Sequence, residues 1–157
     1  MSTPQPGVRP RVAVALTTVG FVAVVIAGYG LLSLLLEQEV IATPGLGALP
    51  GALALAAATV AYVVTVGLAL RLPRPHYRAT ATTVVAVLIA DLLGLWLGAI
   101  ISGVDAARAT AAAASFVLSW FSVMLAAAAF VSAWCAVALV RTRASRPRWP
   151  WERDEDE

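Results

Sequence analysis

Four long runs of apolar residues, separated by short polar or turn-forming segments, dominate the pattern along this chain. They cover about residues 12–36, 49–70, 80–101 and 112–140. The hydrocarbon core of a bilayer is about 30 Å thick, and an α-helix crosses it in roughly 20 apolar residues. Each run reaches that length. The pattern therefore predicts an all-α protein, a bundle of four transmembrane helices.

The fourth run, residues 112–140, is longer than one span requires. This length leaves two interpretations open: the helix is tilted in the bilayer, or its alanine-rich start stands above the membrane. We expect no broken helix in the middle of this or any other span.

The overall composition agrees with a membrane protein. The chain is 61% hydrophobic and 13% charged, whereas soluble domains average about 45–50% apolar and about 25% charged residues. It contains no lysine and no asparagine. Because the codons for lysine and asparagine are AT-rich, we infer a GC-rich bacterial genome. The single cysteine, Cys135, excludes an intrachain disulfide and a multi-cysteine metal site.

The arginines predict the orientation of the spans. Ten of the eleven arginines lie before the first run, between the second and third runs, or after the fourth run. Only Arg108 lies between the third and fourth runs, which is the opposite side of the membrane. The positive-inside rule then puts both termini in the cytoplasm, an N-in/C-in topology. The basic charge reflects this topology, so we expect no nucleic-acid partner.

This topology divides the chain into three parts. Residues 1–11 form a cytoplasmic N-terminal segment, residues 12–140 the transmembrane domain, and residues 141–157 a cytoplasmic tail. The tail is rich in arginine and then in acidic residues and has no apolar pattern, which is typical of disorder.

One acidic residue interrupts the apolar pattern. Asp91 lies near the middle of the third run, where an aspartate costs about 2.5–3.5 kcal/mol on insertion scales. Gly94 and Gly98 follow on the same helix face, and small residues at this spacing let another helix approach closely. We therefore predict that Gly94 and Gly98 form a helix-packing face and that Asp91 faces a neighbouring helix.

Hydroxyl groups at a similar depth are the predicted partners of Asp91. Three interpretations of this polar site stay open: a hydrogen-bonded contact between helices, a proton or cation site, or a contact with another protein. The candidate residues are Thr59 and Tyr62 in the second span and Ser119, Ser122 and Ser132 in the fourth.

No set of residues for catalysis stands out. The single histidine, His76, lies in a predicted cytoplasmic loop. The sequence has no phosphate-binding loop, zinc motif or dinucleotide fingerprint. We therefore expect a protein that is not an enzyme, with no catalytic residues, no metal and no cofactor.

The stretch "YGLLSLLLEQEVIATPGLGALPGALAL", residues 29–55, resembles small four-helix membrane proteins of actinobacteria that are grouped as a family of unknown function. The resemblance implies a plasma-membrane location and supplies no activity. The function that we expect is a non-enzymatic accessory or scaffold subunit, with the lipid bilayer and another membrane protein or a second copy as partners. The alternative is a small transporter or proton- or cation-coupled component that uses Asp91.

Overall fold

The structure, a computed structural model, describes residues 9–38, 40, 48–71 and 78–141. Outside the described residues lie the predicted N-terminal segment up to residue 8 and the tail from residue 142. The same holds for most of the turn-rich connection between the first and second runs and for most of the basic connection between the second and third runs. The described part forms helices α1 (Pro10–Leu36), α2 (Leu49–Ala69), α3 (Arg78–Ile101), α4 (Ala106–Val117) and α5 (Trp120–Arg141).

The all-α class is confirmed, and four of these helices, α1, α2, α3 and α5, are long and apolar enough to cross a membrane. Their ends follow local sequence signals. Pro10 and Pro50 occupy the first turns of α1 and α2, where a missing N–H group costs nothing. Gly103, with φ of 83°, terminates α3 in the left-handed conformation that glycine adopts without strain.

The fourth apolar run differs from the expectation of one unbroken helix. It is divided at Leu118–Ser119 into α4 and α5. Two serine side chains bond carbonyl oxygens at the break: Ser119 Oγ donates to the Phe116 oxygen at 2.7 Å, which also accepts the Ser119 N–H at 3.0 Å, and Ser122 Oγ donates to the Val117 oxygen at 2.9 Å. Serine hydroxyl groups compete with helical N–H groups in this way, so the break needs neither proline nor glycine.

α4 folds back along the end of α3. Its alanines Ala109 and Ala112 pack with Ala99 of α3, and Trp96 Nε1 donates a hydrogen bond to Thr110 Oγ1 at 3.2 Å. Asp105 caps the N-terminus, since its Oδ1 accepts from the Arg108 N–H group at 3.0 Å. Because α4 has only 12 residues, its N-cap contributes a large share of the stability of this helix.

Replacing Asp105 with alanine is expected to destabilise α4 by about 1 kcal/mol, the usual effect of removing an N-cap acceptor. The matched control is Arg108→Ala, which removes the exposed Asp105–Arg108 ion pair (3.4 Å) and keeps the cap, with an expected effect of only tenths of a kcal/mol. Hydrogen exchange of the α4 amides measures both. Equal effects of the two substitutions would contradict the assigned role of Asp105.

The tightest contact in the bundle joins the antiparallel helices α2 and α3. Buried residues recur at every fourth position of α2 from Pro50 to Val66, and they form a narrow ridge of mostly small side chains. α3 meets this ridge with the two glycines Gly94 and Gly98. This close approach fixes the register of the two helices.

α1 and α5 complete the bundle. Buried residues of α1 also recur at every fourth position, from Ala13 through Thr17 and Phe21 to Val25, while its opposite face exposes large apolar side chains. α5 packs on α1, α3 and α2. Cys135 lies on an exposed face of α5. We call the end of the bundle where α2 ends and α3 begins the Arg71 end, and the opposite end, where α1 ends and α2 begins, the Glu37 end.

Candidate functional site

Asp91 lies inside the bundle, on the face of α3 that carries Gly94 and Gly98. It is only 3% exposed. Across residues 9–38, 40, 48–71 and 78–141, no hydrogen-bond donor reaches its carboxyl group. A buried polar group without a partner loses its hydration and gains nothing in return, which costs about 1–3 kcal/mol. Asp91 is therefore a local cost to the fold.

A cavity of about 30 Å³ adjoins the Asp91 side chain. This volume is enough for a water molecule, which needs about 10–15 Å³ and polar partners. Only two of the lining residues, Asp91 and Tyr29, have polar side chains, and the rest of the wall is glycine and apolar residues. The wall consists of Tyr29, Val40, Gly51, Ala54, Leu55, Asp91, Leu95 and Phe116.

Tyr29 of α1 brings the second polar group to this cavity. Its hydroxyl group is buried and has no hydrogen-bond partner among the described residues, and it lies within electrostatic reach of Asp91. Its ring stands edge-on between two phenyl rings, Phe116 at 6.5 Å and Phe121 at 5.6 Å between centroids. These two residues flank the break between α4 and α5, so the break positions the tyrosine.

Three of the hydroxyl groups predicted to bond Asp91, those of Thr59, Ser119 and Ser122, have other partners. Thr59 Oγ1 donates to the Leu55 carbonyl oxygen of its own helix at 2.7 Å. Ser122 donates to carbonyl oxygens at the helix break, and so does Ser119. Ser132 is buried on α5. None of these hydroxyl groups donates to the carboxyl group of Asp91.

Tyr62 also lies away from Asp91. Its ring is fully buried and stacks on Phe21, with 4.7 Å between centroids and 3° between planes. Its hydroxyl group lies near the Thr17 hydroxyl without forming a hydrogen bond of good geometry among the described residues. The Thr17 hydroxyl itself donates to the Ala13 carbonyl oxygen at 2.8 Å.

The helix register explains this displacement. Gly98 lies against Pro50 and Gly94 against Ala54, and continuing this antiparallel register puts residues 57–58 opposite Asp91. Tyr62 is one turn further toward the Arg71 end. The sequence-based prediction compared the depth of each residue along an idealised span and so did not include this shift. The register of two helices is set where their backbones approach most closely.

The two glycines leave no room for side chains. A Cβ atom at Gly94 would lie 2.7 Å from both Ala54 Cα and the Leu53 carbonyl oxygen, and one at Gly98 would lie 2.6 Å from Pro50 Cα. These neighbours are backbone atoms, which cannot rotate away. The glycines thus bring α2 against the face of α3 that carries Asp91, and they form one side of the site.

Sequence reasoning missed Tyr29 as the second polar side chain at the cavity beside Asp91. The sequence favours an interface anchor or a packing group for this residue, because a tyrosine near the end of an apolar span is typical of interface anchors. One signal was present: Tyr29 follows Gly28, and Gly28 packs against Met124 of α5. A glycine at a helix crossing brings the next side chain deep into the bundle.

The arrangement suits a proton better than a metal ion. Within the ranges that the structure describes, no group of three or more metal-ligating side chains occurs, whereas Ca²⁺ takes about 6–8 oxygen ligands and Mg²⁺ about six. A single carboxyl group beside a water-sized space can bind and release a proton without further ligands.

Comparisons with known proteins give the family and no more. No curated protein and no solved structure matches the chain. One family model does match, over residues 8–157, and its description is a family of unknown function, DUF6121.

Proposed function

Since the chain belongs to the family of unknown function DUF6121, we propose a function from its own residues. The chain is a multi-pass membrane protein without enzymatic activity, and it couples ion movement to the carboxyl group of Asp91. The family membership agrees with the expected resemblance to an uncharacterised family. The actinobacterial origin stays a prediction.

The observation that carries this proposal is a buried carboxyl group without a hydrogen bond, next to a cavity that can hold water. If Asp91 served only to hold helices together, its carboxyl group would need a partner. Three of the predicted partners, Thr59, Ser119 and Ser122, bond carbonyl groups of their own chain segments, and neither Tyr62 nor Ser132 donates to Asp91. Residues that lower stability without structural gain are often retained for function.

We further propose that both termini face the cytoplasm of a bacterial cell. Among the described residues, Arg9, Arg11, Arg71 and Arg78 all belong to the Arg71 end, and all four are exposed. The single arginine near the opposite end, Arg108, pairs with Asp105. This asymmetry agrees with the positive-inside rule.

Substitution of Asp91 tests the coupling. In nanodiscs, Asp91→Leu is expected to be as stable as the parent or about 1–3 kcal/mol more stable, because the unpaired polar group is removed. In proteoliposomes with an internal pH-sensitive dye, Asp91→Asn is expected to lower proton flux to the rate of protein-free vesicles. The measurements are thermal unfolding and the initial rate of dye response under a pH gradient.

The control is Asp105→Asn, which also changes an acid to an amide but lies outside the cavity and keeps an N-cap acceptor. It is expected to retain the flux of the parent. If Asp91→Leu and Asp91→Asn both unfold at markedly lower temperature, Asp91 is a structural contact and the proposal fails. It also fails if Asp91→Asn transports protons at the rate of the parent.

An accessory or scaffold subunit is the second candidate function. The observation that favours it is a face of small residues on α1 that this chain leaves exposed. A Cβ atom at Gly20 or Gly30 would meet nothing within 4 Å, and Ala23 and Ala27 lie exposed between them. Such faces are typical of helix–helix association in membranes. The two candidates differ in which residues they require: this face of α1, or Asp91.

A further inference from the structure

We propose that the ion exchanged at Asp91 is a proton and that, in the conformation that the structure describes, it reaches the carboxyl group only from the Glu37 end, through the cavity. Flux across the membrane then requires a second conformation in which Asp91 opens to the Arg71 end. This inference rests on the proposed function, since it names the ion and the access path of the same site.

The chemistry of the cavity wall limits the ion to a proton. Its two polar side chains are the Asp91 carboxyl group and the Tyr29 hydroxyl group, and the remaining wall is apolar or glycine. Pores that take up bare potassium ions replace the hydration shell with rings of carbonyl oxygens, and helical carbonyl groups are already bonded within α2 and α3. A dehydrated metal cation would therefore lack most of its ligands here.

Proton exchange needs only one water molecule. A hydronium ion in the cavity transfers its proton to a carboxylate oxygen of Asp91; an O–H bond forms on the carboxyl group, one O–H bond of the hydronium ion breaks, and a neutral water molecule remains. The reverse step returns the proton. Tyr29 is the titratable side chain that shares the cavity with Asp91, and α2 and α4 contribute only glycine and apolar residues to the wall.

The cavity extends from Asp91 toward the Glu37 end. Leu95 follows Asp91 by one turn in this direction on α3, Gly51 lies in the first turn of α2, and Val40 lies just beyond the end of α1. All three line the cavity. The cavity therefore lies on the Glu37 side of the carboxyl group.

Toward the Arg71 end, large side chains close the bundle, and the one polar atom among them is the Tyr62 hydroxyl group. The buried Thr17, Thr80 and Thr83 also lie toward this end, where the hydroxyl groups of Thr17 and Thr83 donate to carbonyl oxygens of their own helices. Val87 precedes Asp91 by one turn on α3 and is fully buried, as are the stacked rings of Phe21 and Tyr62. Val66, one turn beyond Tyr62 on α2, is only 2% exposed. We call Phe21, Tyr62 and Val87 the apolar seal. It separates Asp91 from the end that carries Arg71 and Arg78.

Thiol accessibility tests the direction of access. All variants carry Cys135→Ser, which removes the exposed native thiol. Asp91→Cys places a thiol at the position of the acid itself. Leu55→Cys places a thiol in the cavity wall and keeps the acid, so it still measures access if the loss of Asp91 disturbs folding. Exposed Gln38 and Arg71, each changed to cysteine, mark the two sides of the membrane. Silver ion is added to sealed right-side-out and inside-out vesicles. The protein is then denatured, and a maleimide labels the thiols that silver has not modified.

We expect Asp91→Cys and Leu55→Cys to react about tenfold faster from the side that modifies Gln38→Cys than from the side that modifies Arg71→Cys, because thiol reactivity follows exposure. Val87→Cys, within the apolar seal, is expected to stay unmodified from both sides. Equal rates from both sides, faster reaction from the Arg71 side, or no reaction at either cavity position would each overturn the inference.

A second measurement tests the identity of the ion. Proton flux by the parent protein is expected to stay unchanged when sodium and potassium are replaced by a large organic cation, and a requirement for either metal ion would overturn the proton assignment. Failure of the proposed function has a different signature, since Asp91→Asn would then keep the parental flux whatever the pattern of thiol modification.

Discussion

Gly94→Ala is expected to lower the free energy of unfolding by about 3 kcal/mol, at the upper end of the usual cost of overpacking. The added methyl group would lie 2.7 Å from Ala54 Cα and from the Leu53 carbonyl oxygen. Both atoms belong to a helix backbone, so the contact can be relieved only if α2 and α3 move apart. That movement separates the most extensive helix pair of the bundle. Equilibrium unfolding in mixed micelles measures the loss.

Gly20→Ala and Gly67→Ala are the matched controls, because a Cβ atom at either position meets nothing within 4 Å. Alanine is favoured over glycine in a helix interior by about 1 kcal/mol, so both controls are expected to be neutral or slightly stabilising. If Gly94→Ala behaves like Gly20→Ala, the close approach of α2 and α3 is wrong.

Phe21→Ala is expected to destabilise the protein by about 3–5 kcal/mol, the usual cost of truncating a buried phenylalanine. The Phe21 side chain is fully buried and stacks on Tyr62 across the contact between α1 and α2. Its removal leaves a space that neighbouring helices can fill only in part. The same unfolding measurement applies, with the fraction folded checked by size-exclusion chromatography.

The apolar seal adds a second readout to this substitution. In the Asp91→Cys, Cys135→Ser background, Phe21→Ala is expected to make the Asp91 position reactive from the side that modifies Arg71→Cys. The control is Tyr62→Phe, which keeps the stacked ring and removes a hydroxyl group without a hydrogen-bond partner. It is expected to leave both stability and sidedness near those of the parent. A parental stability of Phe21→Ala would contradict the packing of α1.

Much of the architecture follows from local properties of the chain. A run of about 20 apolar residues predicts a membrane-spanning helix whatever its neighbours are, so α1, α2 and α3 could be predicted with their approximate ends, and α5 with its C-terminal end. The start of α5 at Trp120 was missed, because the apolar run continues through the break before it. Asp91 could be singled out in the same way, because a charge in an apolar run is unusual without reference to any other helix. The glycine pair Gly94 and Gly98 predicts a close helix contact by its spacing alone.

Which side chains surround Asp91 depends on non-local geometry. Tyr62 has a suitable depth along an idealised span, but the register set by Gly94 against Ala54 puts it one turn closer to the Arg71 end. Thr59 lies near the depth of Asp91 and bonds the Leu55 carbonyl oxygen of its own helix instead. Tyr29 reaches the cavity because α1 crosses the bundle at Gly28 against Met124. No local pattern contains these offsets.

The break between α4 and α5 was also beyond local reasoning. Helix breaks are usually recognised from proline or glycine, and this one depends on serine hydroxyl groups that bond carbonyl oxygens around Leu118. The sequence by itself determined the spans, the unusual acid and the small-residue face, because each depends on residues close together in the chain. Only the tertiary structure decided the cavity, the Tyr29 side chain beside Asp91 and the apolar seal, because each requires residues from several helices whose register is set by backbone contact.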